Sequence, residues 1–339
     1  MAFPNGFVSA VEAIPTGGGG STEIPKKWER PSNWPNLDLI NTDQRERPTA
    51  YITILADGTW DRVSTFSSTY AAYEIQLNSD GSETVISTLT VSVNDYGFNG
   101  VDISSLSNGI HLIKIEAAQA VYLNQNANNS ITLMQKTLEV LFINSNQKVI
   151  LNTGVYSDLI AGLGATTEHF SAWHIYNTDN GNILGMTYNC SSLKKIDYHY
   201  CDFGIGGYLY YGMMGLTSLI EFTLDHTTLG INTSVPSLLH CFLLETFDIA
   251  SMDWAGTTLT AAISMNNSPF LKNFSGFINY PNNQNYQRCP KLTHQSLINI
   301  INALPTTSET RVLTLGTYHK SRLTSDEIAI ATAKGWTVA

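Results

Sequence analysis

The sequence predicts a β-rich α+β protein: a small β-sandwich-like domain, an irregular stack of short repeats, and an α/β piece that closes the stack. Three observations predict it. Between Leu138 and Ile278 one phrase keeps returning: an apolar residue, two spacers, an apolar residue, one spacer, a third apolar residue. Ahead of it, short alternating runs are separated by turn signals about every ten residues. Behind it, two amphipathic segments alternate with two β-prone ones. The chain of 339 residues divides on this basis into 1–47, 48–122, 123–288 and 289–339.

In 1–47, Val8–Ile14 is short and apolar, and Gly17–Gly20 forms a hinge because glycine has no side chain to restrict its backbone. Ile24–Pro35 is proline-spaced and aromatic, hence extended. Its Trp28 and Trp34 are expected to pack on a partner or on the first domain, as candidate anchors of an attachment arm. In 48–122, Tyr51–Ile54 and Trp60–Val63 flank the Asp57-Gly58 turn, and Tyr73–Leu77 and Glu83–Ile86 flank Asn78–Ser82. Leu89–Val93 and His111–Ile115 add strands, enough for a small sandwich.

In 123–288 the phrase reads Leu138–Ile143; then Phe170, Trp173, Ile175; Leu193, Ile196, Tyr198; Leu219, Phe222, Leu224; Leu244, Phe247, Ile249; and a degenerate Leu271, Phe274. The steps of 32, 23, 26, 25 and 27 fall mostly in the window of a leucine-rich-repeat solenoid. One such coil cannot bury its apolar side alone, and stacking buries it. Strand side chains alternate, so the intervening residues face outward. They are Ala172, His174 and Tyr176; Lys195, Asp197 and His199; Glu221, Thr223 and Asp225; Thr246, Asp248 and Ala250; Asn273, Ser275 and Phe277. This mixed, mildly acidic face is a candidate binding surface for sugar hydroxyls or a protein edge. An ordinary solvated sheet face is the plain alternative. Asp197 and Asp248 stand two repeats apart, roughly 9–10 Å, near the inverting-glycosidase spacing. An open wall has no pocket to raise the pKa of an acid, so no catalytic residue is assigned. Cys201 occupies the ninth repeat position, where asparagine or cysteine belongs, and Cys190 and Cys289 each precede a leucine by three. They read as repeat-turn cysteines rather than metal ligands or a disulfide.

In 289–339, Leu297, Ile298, Ile300, Ile301 and Leu304 make a helix pattern, and Thr310–Leu315 a strand. Thr324 and Glu327 form a capping box for a second helix that Gly335 ends, and Trp336–Val338 is a last strand. This ending is expected to cover the open end of the stack.

Composition narrows the function. The net charge of −10 and the absence of a Lys/Arg stripe argue against a nucleic-acid partner. No stretch is long and apolar enough for a membrane span, and Met1–Ser21 lacks the basic and apolar regions of a signal peptide. No H-E-x-x-H, G-x-S-x-G, P-loop or dinucleotide fingerprint occurs, so neither enzyme activity, a cofactor nor a metal is expected. Low charge with abundant Asn, Ser, Thr, Gly and Tyr suits an exterior protein, and a virus particle is one route outside without an export signal.

Both ends of the chain point the same way. Met1–Phe7, Ala10–Ala13, Gly17–Gly20 and Arg30–Pro35 resemble the openings of virion proteins of tailed phages infecting Bacteroidetes, crAss-like phages among them. Leu292–Leu297, Leu313–Gly316 and Leu323–Trp336 resemble the terminal cap of leucine-rich-repeat proteins in such phages and their hosts. The middle departs: such relatives carry a β-domain richer in Asp-Gly turns, and here only Asp57-Gly58 and Asp80-Gly81 are present. The resemblance implies a structural or adhesive virion role with no catalytic residues; the expected protein is a homo-oligomer attached to other virion proteins through its N-terminal arm, and the Tyr-, Asn- and Asp-bearing repeat face makes host glycan or protein its expected partner. A bacterial cell-surface adhesin and a polysaccharide depolymerase are the rival expectations.

Overall fold

The computed structural model describes residues 26–43, 45–58, 62–64, 69–93, 99–117, 137–143, 166–174, 191–202, 216–227, 241, 243–251, 263–265 and 268–339. Gly17–Gly20, Trp60, Tyr176 and Cys190 lie outside them. The fold is β-rich α+β, and ten of the described strands form one mixed sheet.

At its centre is β1 (Thr49–Ala56), antiparallel to both neighbours, β7 (Gly109–Ala117) and β8 (Thr137–Ile143). Its sequence is apolar on both faces. Ala50, Ile52 and Ile54 enter the main core, and Tyr51 enters a second cluster on the opposite side. Beyond β7 come β3 (Thr69–Leu77) and the edge strand β4 (Glu83–Leu89). A three-stranded sheet, β2 (Arg62–Ser64), β6 (Asn99–Asp102) and β5 (Val91–Val93), adds Val101 to the main core. From β8 onward every ladder of the large sheet is parallel: β9 (His169–Trp173), β10 (Lys195–His199), β11 (Glu221–Asp225), β12 (Thr246–Asp248) and β14 (Asn273–Phe274). The sheet therefore crosses the expected division at residue 122, because β1 carries pairing groups on two sides and β8 satisfies the second.

The parallel register places Val140, Phe170, Ile196, Phe222, Phe247 and Phe274 side by side. Counting these as position four corrects two repeat phases. The early copies begin at Thr137 and Thr167, not Leu138 and Phe170, and the steps become 30, 26, 26, 25 and 27. The pattern of leucines misleads there because buried threonines fill the first position, and the Thr167 hydroxyl is satisfied by the Thr137 carbonyl at 3.1 Å. Ala172 accordingly faces inward and is fully buried.

A backbone ladder joins the copies at position two. The amides of Glu168, Lys194, Ile220, Glu245, Lys272 and Thr293 donate in turn to the carbonyls of Leu138, Glu168, Lys194, Ile220, Glu245 and Lys272, at 2.8–3.0 Å. At the far corner, Cys201, Thr227 and Ser251 each point a hydrogen-bonding side chain at the position-six carbonyl of the preceding copy, Ala172, Tyr198 and Leu224. This explains the small polar or thiol residue there. The Cys241 and Cys289 carbonyls accept the amides of Leu244 and Leu292, closing tight turns. Burial pushes both thiols up to about 12, which leaves them unreactive.

Helix α1 (His294–Ala303) closes the sheet at β14, where a seventh parallel strand would otherwise pair. The Ser296 hydroxyl accepts from the Phe274 amide and donates to the Lys272 carbonyl, both at 2.9 Å, and Asn299 donates to the Phe274 carbonyl. Gly276, at φ +87°, lets the chain pass so close to α1 that an added Cβ would lie 2.9 Å from that of Ala303. A second parallel sheet, β13 (Ile263–Ser264), β15 (Gln284–Asn285), β16 (Arg311–Thr314) and β17 (Trp336–Val338), completes this end. It is accompanied by α2 (Gly316–Lys320), which the sequence pattern does not signal, and α3 (Ser325–Ala333), whose capping box pairs Thr324 with Glu327 as expected.

Candidate functional site

The outward face of the parallel strands has two halves. Residues 26–30 cross the half near the strand starts. The Lys26 amide donates to Glu245 at 2.5 Å and the Trp28 amide to Glu221 at 2.6 Å. The Trp28 indole N–H donates to Glu168 at 3.3 Å, and Arg30 forks onto both oxygens of Glu139 at 2.7–3.1 Å while also binding Asp38. Each polar contact of this strap with the wall ends on a carboxylate, and the carboxylates come from four copies of the repeat. Lys194 and Lys272 hold Glu168 and Glu245 from the wall side. After the strap, Leu37 and Ile40 pack with Tyr51, Leu141 and Ile143 over the outer face of β1 and β8.

Under the strap lies a buried charge chain. His169 Nδ1 stands 2.7 Å from Glu139, whose side chain is fully buried, and Nε2 stands 2.9 Å from Asp197. Trp28 covers the imidazole with ring centroids 4.6 Å apart. Burial opposes a charge on His169, but its bonds to Asp197 and Glu139 prevail and raise its pKa. Both ring nitrogens face carboxylate oxygens, and only the imidazolium can donate to both. Burial alone would raise Asp197 too; the bond and charge of His169, then Lys195, hold it at about 2. Burial likewise disfavours the Arg30 cation, and Glu139 and Asp38 overcome it, raising its pKa above the ordinary value. Asp197 is thus a fixed, fully bonded anion, unsuited to donate a proton.

The other half of the face ends in a rim of rings. At position eight the chain turns through a left-handed residue in three successive copies, His174, Tyr200 and His226, with φ of 59°, 52° and 47°. Their rings stack, His174 on Tyr200 at 5.5 Å and Tyr200 on His226 at 4.8 Å. Beside them Trp173 stacks on His199 at 4.1 Å, and Asp225 binds His199 and His226 at 3.2 and 2.7 Å. Tyr200 and His226 are exposed.

The structure sorts the expected binding residues accordingly. Lys195, Asp197 and Glu221 lie in the strapped half, and Asp197 is 5% exposed rather than offered to solvent. His199, Thr223, Asp225, Thr246, Asp248, Asn273 and Ser275 retain exposure on the outward face, and Asp197, Thr223 and Asp248 share one row. His174 belongs to the rim, half-buried against the Thr42 carbonyl. Phe277 is a correction. It is fully buried against Phe247, Phe274 and Tyr280, because the chain turns inward at Gly276. Trp28, expected to pack on a partner or on the first domain, is engaged with the repeat wall of its own chain, and Trp34 stands 6.4 Å from it. Arg30, Glu139, Glu168, His169, Tyr200 and His226 escape the sequence pattern. The last two become visible once the repeat phase is right, since 174, 200 and 226 are evenly spaced.

Among the described residues no three His, Cys, Asp or Glu side chains are arranged to hold a metal ion, and no helix is long and apolar enough to cross a membrane. No family model, no curated protein and no solved structure matches the chain.

Proposed function

We propose that this chain is a non-enzymatic recognition protein of the leucine-rich-repeat type, acting as a structural component of a phage virion with its repeat face toward a host glycan or protein. In this reading residues 123–288 are the solenoid, 48–122 a sandwich-like base fused to it edge to edge, and 289–339 its terminal cap. The observation that carries the reading is the division of one face of six in-register strands into a strapped half and an open half rimmed by exposed rings and acceptors. A repeat face of this kind builds a surface, not a pocket. The state of Asp197 supports a binding role over hydrolysis, since a depolymerase needs a carboxylic acid that holds its proton near neutrality. The virion setting is supported by the resemblance of both chain ends to phage proteins.

Two experiments test it. The purified full chain is applied to arrayed host capsule and surface glycans and to intact host cells; retention supports adhesion, and no retention on either removes the adhesive half. Gold-labelled antibody raised against the chain is applied to purified phage particles; decoration supports the virion setting, and bare particles contradict it.

A further inference from the structure

The ring ladder at position eight stops abruptly, and its end is shaped for a ligand. His174, Tyr200 and His226 follow one another, but the next copy has Ser251 in the same place. That serine has taken over the corner bond: its hydroxyl accepts the His226 amide at 2.6 Å and donates to the Leu224 carbonyl at 3.0 Å. Tyr200 covers one face of His226. At the corresponding place in the next copy stand Ala250 and Ser251, both small and exposed, and the His226 side chain is 61% exposed. Two carboxylates flank this floor. Asp225 binds the edge of His226 and is itself partly exposed, and Asp248, one row nearer the strand start on the same outward face, accepts the Ala250 amide at 3.1 Å.

We propose that a neutral hexopyranose ring stacks on the face of His226 opposite Tyr200, on the Ala250 and Ser251 side, as the next rung of the ladder, with Asp225 and Asp248 accepting its hydroxyls. The inference rests on the glycan-binding reading above and gives it an address. A sugar ring offers an apolar C–H face to an aromatic plane and hydroxyl donors at its rim, which suits a ring bordered by acceptors. An aromatic side chain of a protein partner would fill the same rung but bring no hydroxyl donors to the two carboxylates it covers, adding desolvation without new bonds. An acidic sugar would bring like charge to Asp225 and Asp248. One stacked face with a few hydrogen bonds on an open surface implies a Kd on the order of 1 mM for a single sugar.

The test uses the full chain, with methyl β-galactopyranoside and methyl β-glucopyranoside as probes, read by saturation-transfer NMR and by shifts of the histidine ring protons. Binding of at least one probe is expected, with the His226 ring protons shifting most. His226→Ala should weaken binding at least tenfold, His226→Trp should strengthen it, and Ala250→Tyr should block it by completing the ladder from within. Circular dichroism checks that each exposed-site variant keeps the native fold. If the wild-type chain binds host glycan on an array and His226→Ala binds it equally, the subsite is wrong while the adhesive reading stands. If neither sugar binds and no host glycan is retained, both fail.

Discussion

His169 and His319 are both buried and their pKa values shift in opposite directions, because their partners differ. His169 has a carboxylate at each nitrogen and is held as a cation. His319 donates from Nε2 to the Cys289 carbonyl and accepts Arg322 at Nδ1, and burial first of all lowers its pKa to about 4. As pH falls from 6.5 toward 4, the unfolded chain protonates at His319 and the native one does not, so stability drops, by on the order of 3 kcal/mol from this group. As pH rises above 6.5 and through the raised value of His169, the native state loses a proton the unfolded chain has already lost, so its contribution disappears on the alkaline side. Urea unfolding across pH 4–9 should show both limbs; His319→Gln flattens the acid one and His169→Asn the alkaline one. Glu139→Gln removes the carboxylate that Arg30 and His169 share and should cost about 3–5 kcal/mol, with a change in Trp28 fluorescence as the strap loosens. None of this was legible in the residues. Arg30 and Glu139 are 109 positions apart, and no local pattern pairs them.

At the scale of elements, the sequence pattern found what periodicity encodes and missed what edges decide. Leucines and aromatics at positions one, four and six located the copies beginning at Leu193, Leu219, Leu244 and Leu271, and the capping box located α3. Thr137 and Thr167 shifted the early phase, since a hydroxyl satisfied by a neighbouring carbonyl takes the leucine place without a hydrophobic signature. The role of α1 was half visible: its amphipathic pattern announced a helix, but not that Ser296 would replace a strand by bonding both Phe274 and Lys272. Ser296→Ala therefore leaves the buried Phe274 amide without its acceptor, while the Lys272 carbonyl keeps the Thr293 amide, and should cost about 1–3 kcal/mol in thermal or urea unfolding. Phe247→Ala, which removes the ring between Phe222 and Phe274 at 5.5 Å from each, should cost about 3–5 kcal/mol. A smaller loss from Ser296→Ala than from a surface serine would contradict the capping role.

Across the whole molecule, the ten-stranded sheet crosses the expected division at residue 122, and the main core runs from Ala50 to Val338. A β-strand apolar on both faces, β1, announces burial but not its second partner, so the fusion of base and repeats could not be read in advance. The fusion predicts one cooperative unfolding transition for the described fold, with coincident midpoints by tryptophan fluorescence and circular dichroism. The same continuity fixes where the outward face of the parallel strands lies, because the strap reaches it from residues that lead on to β1. Native-state hydrogen exchange on the full chain tests this arrangement most directly. The amides of Glu168, Lys194, Ile220, Glu245, Lys272 and Thr293 should exchange slowly and with one shared opening free energy, since each closes the same ladder between successive copies. Fast or unrelated exchange at these six positions would contradict the stacked wall on which the proposed function stands.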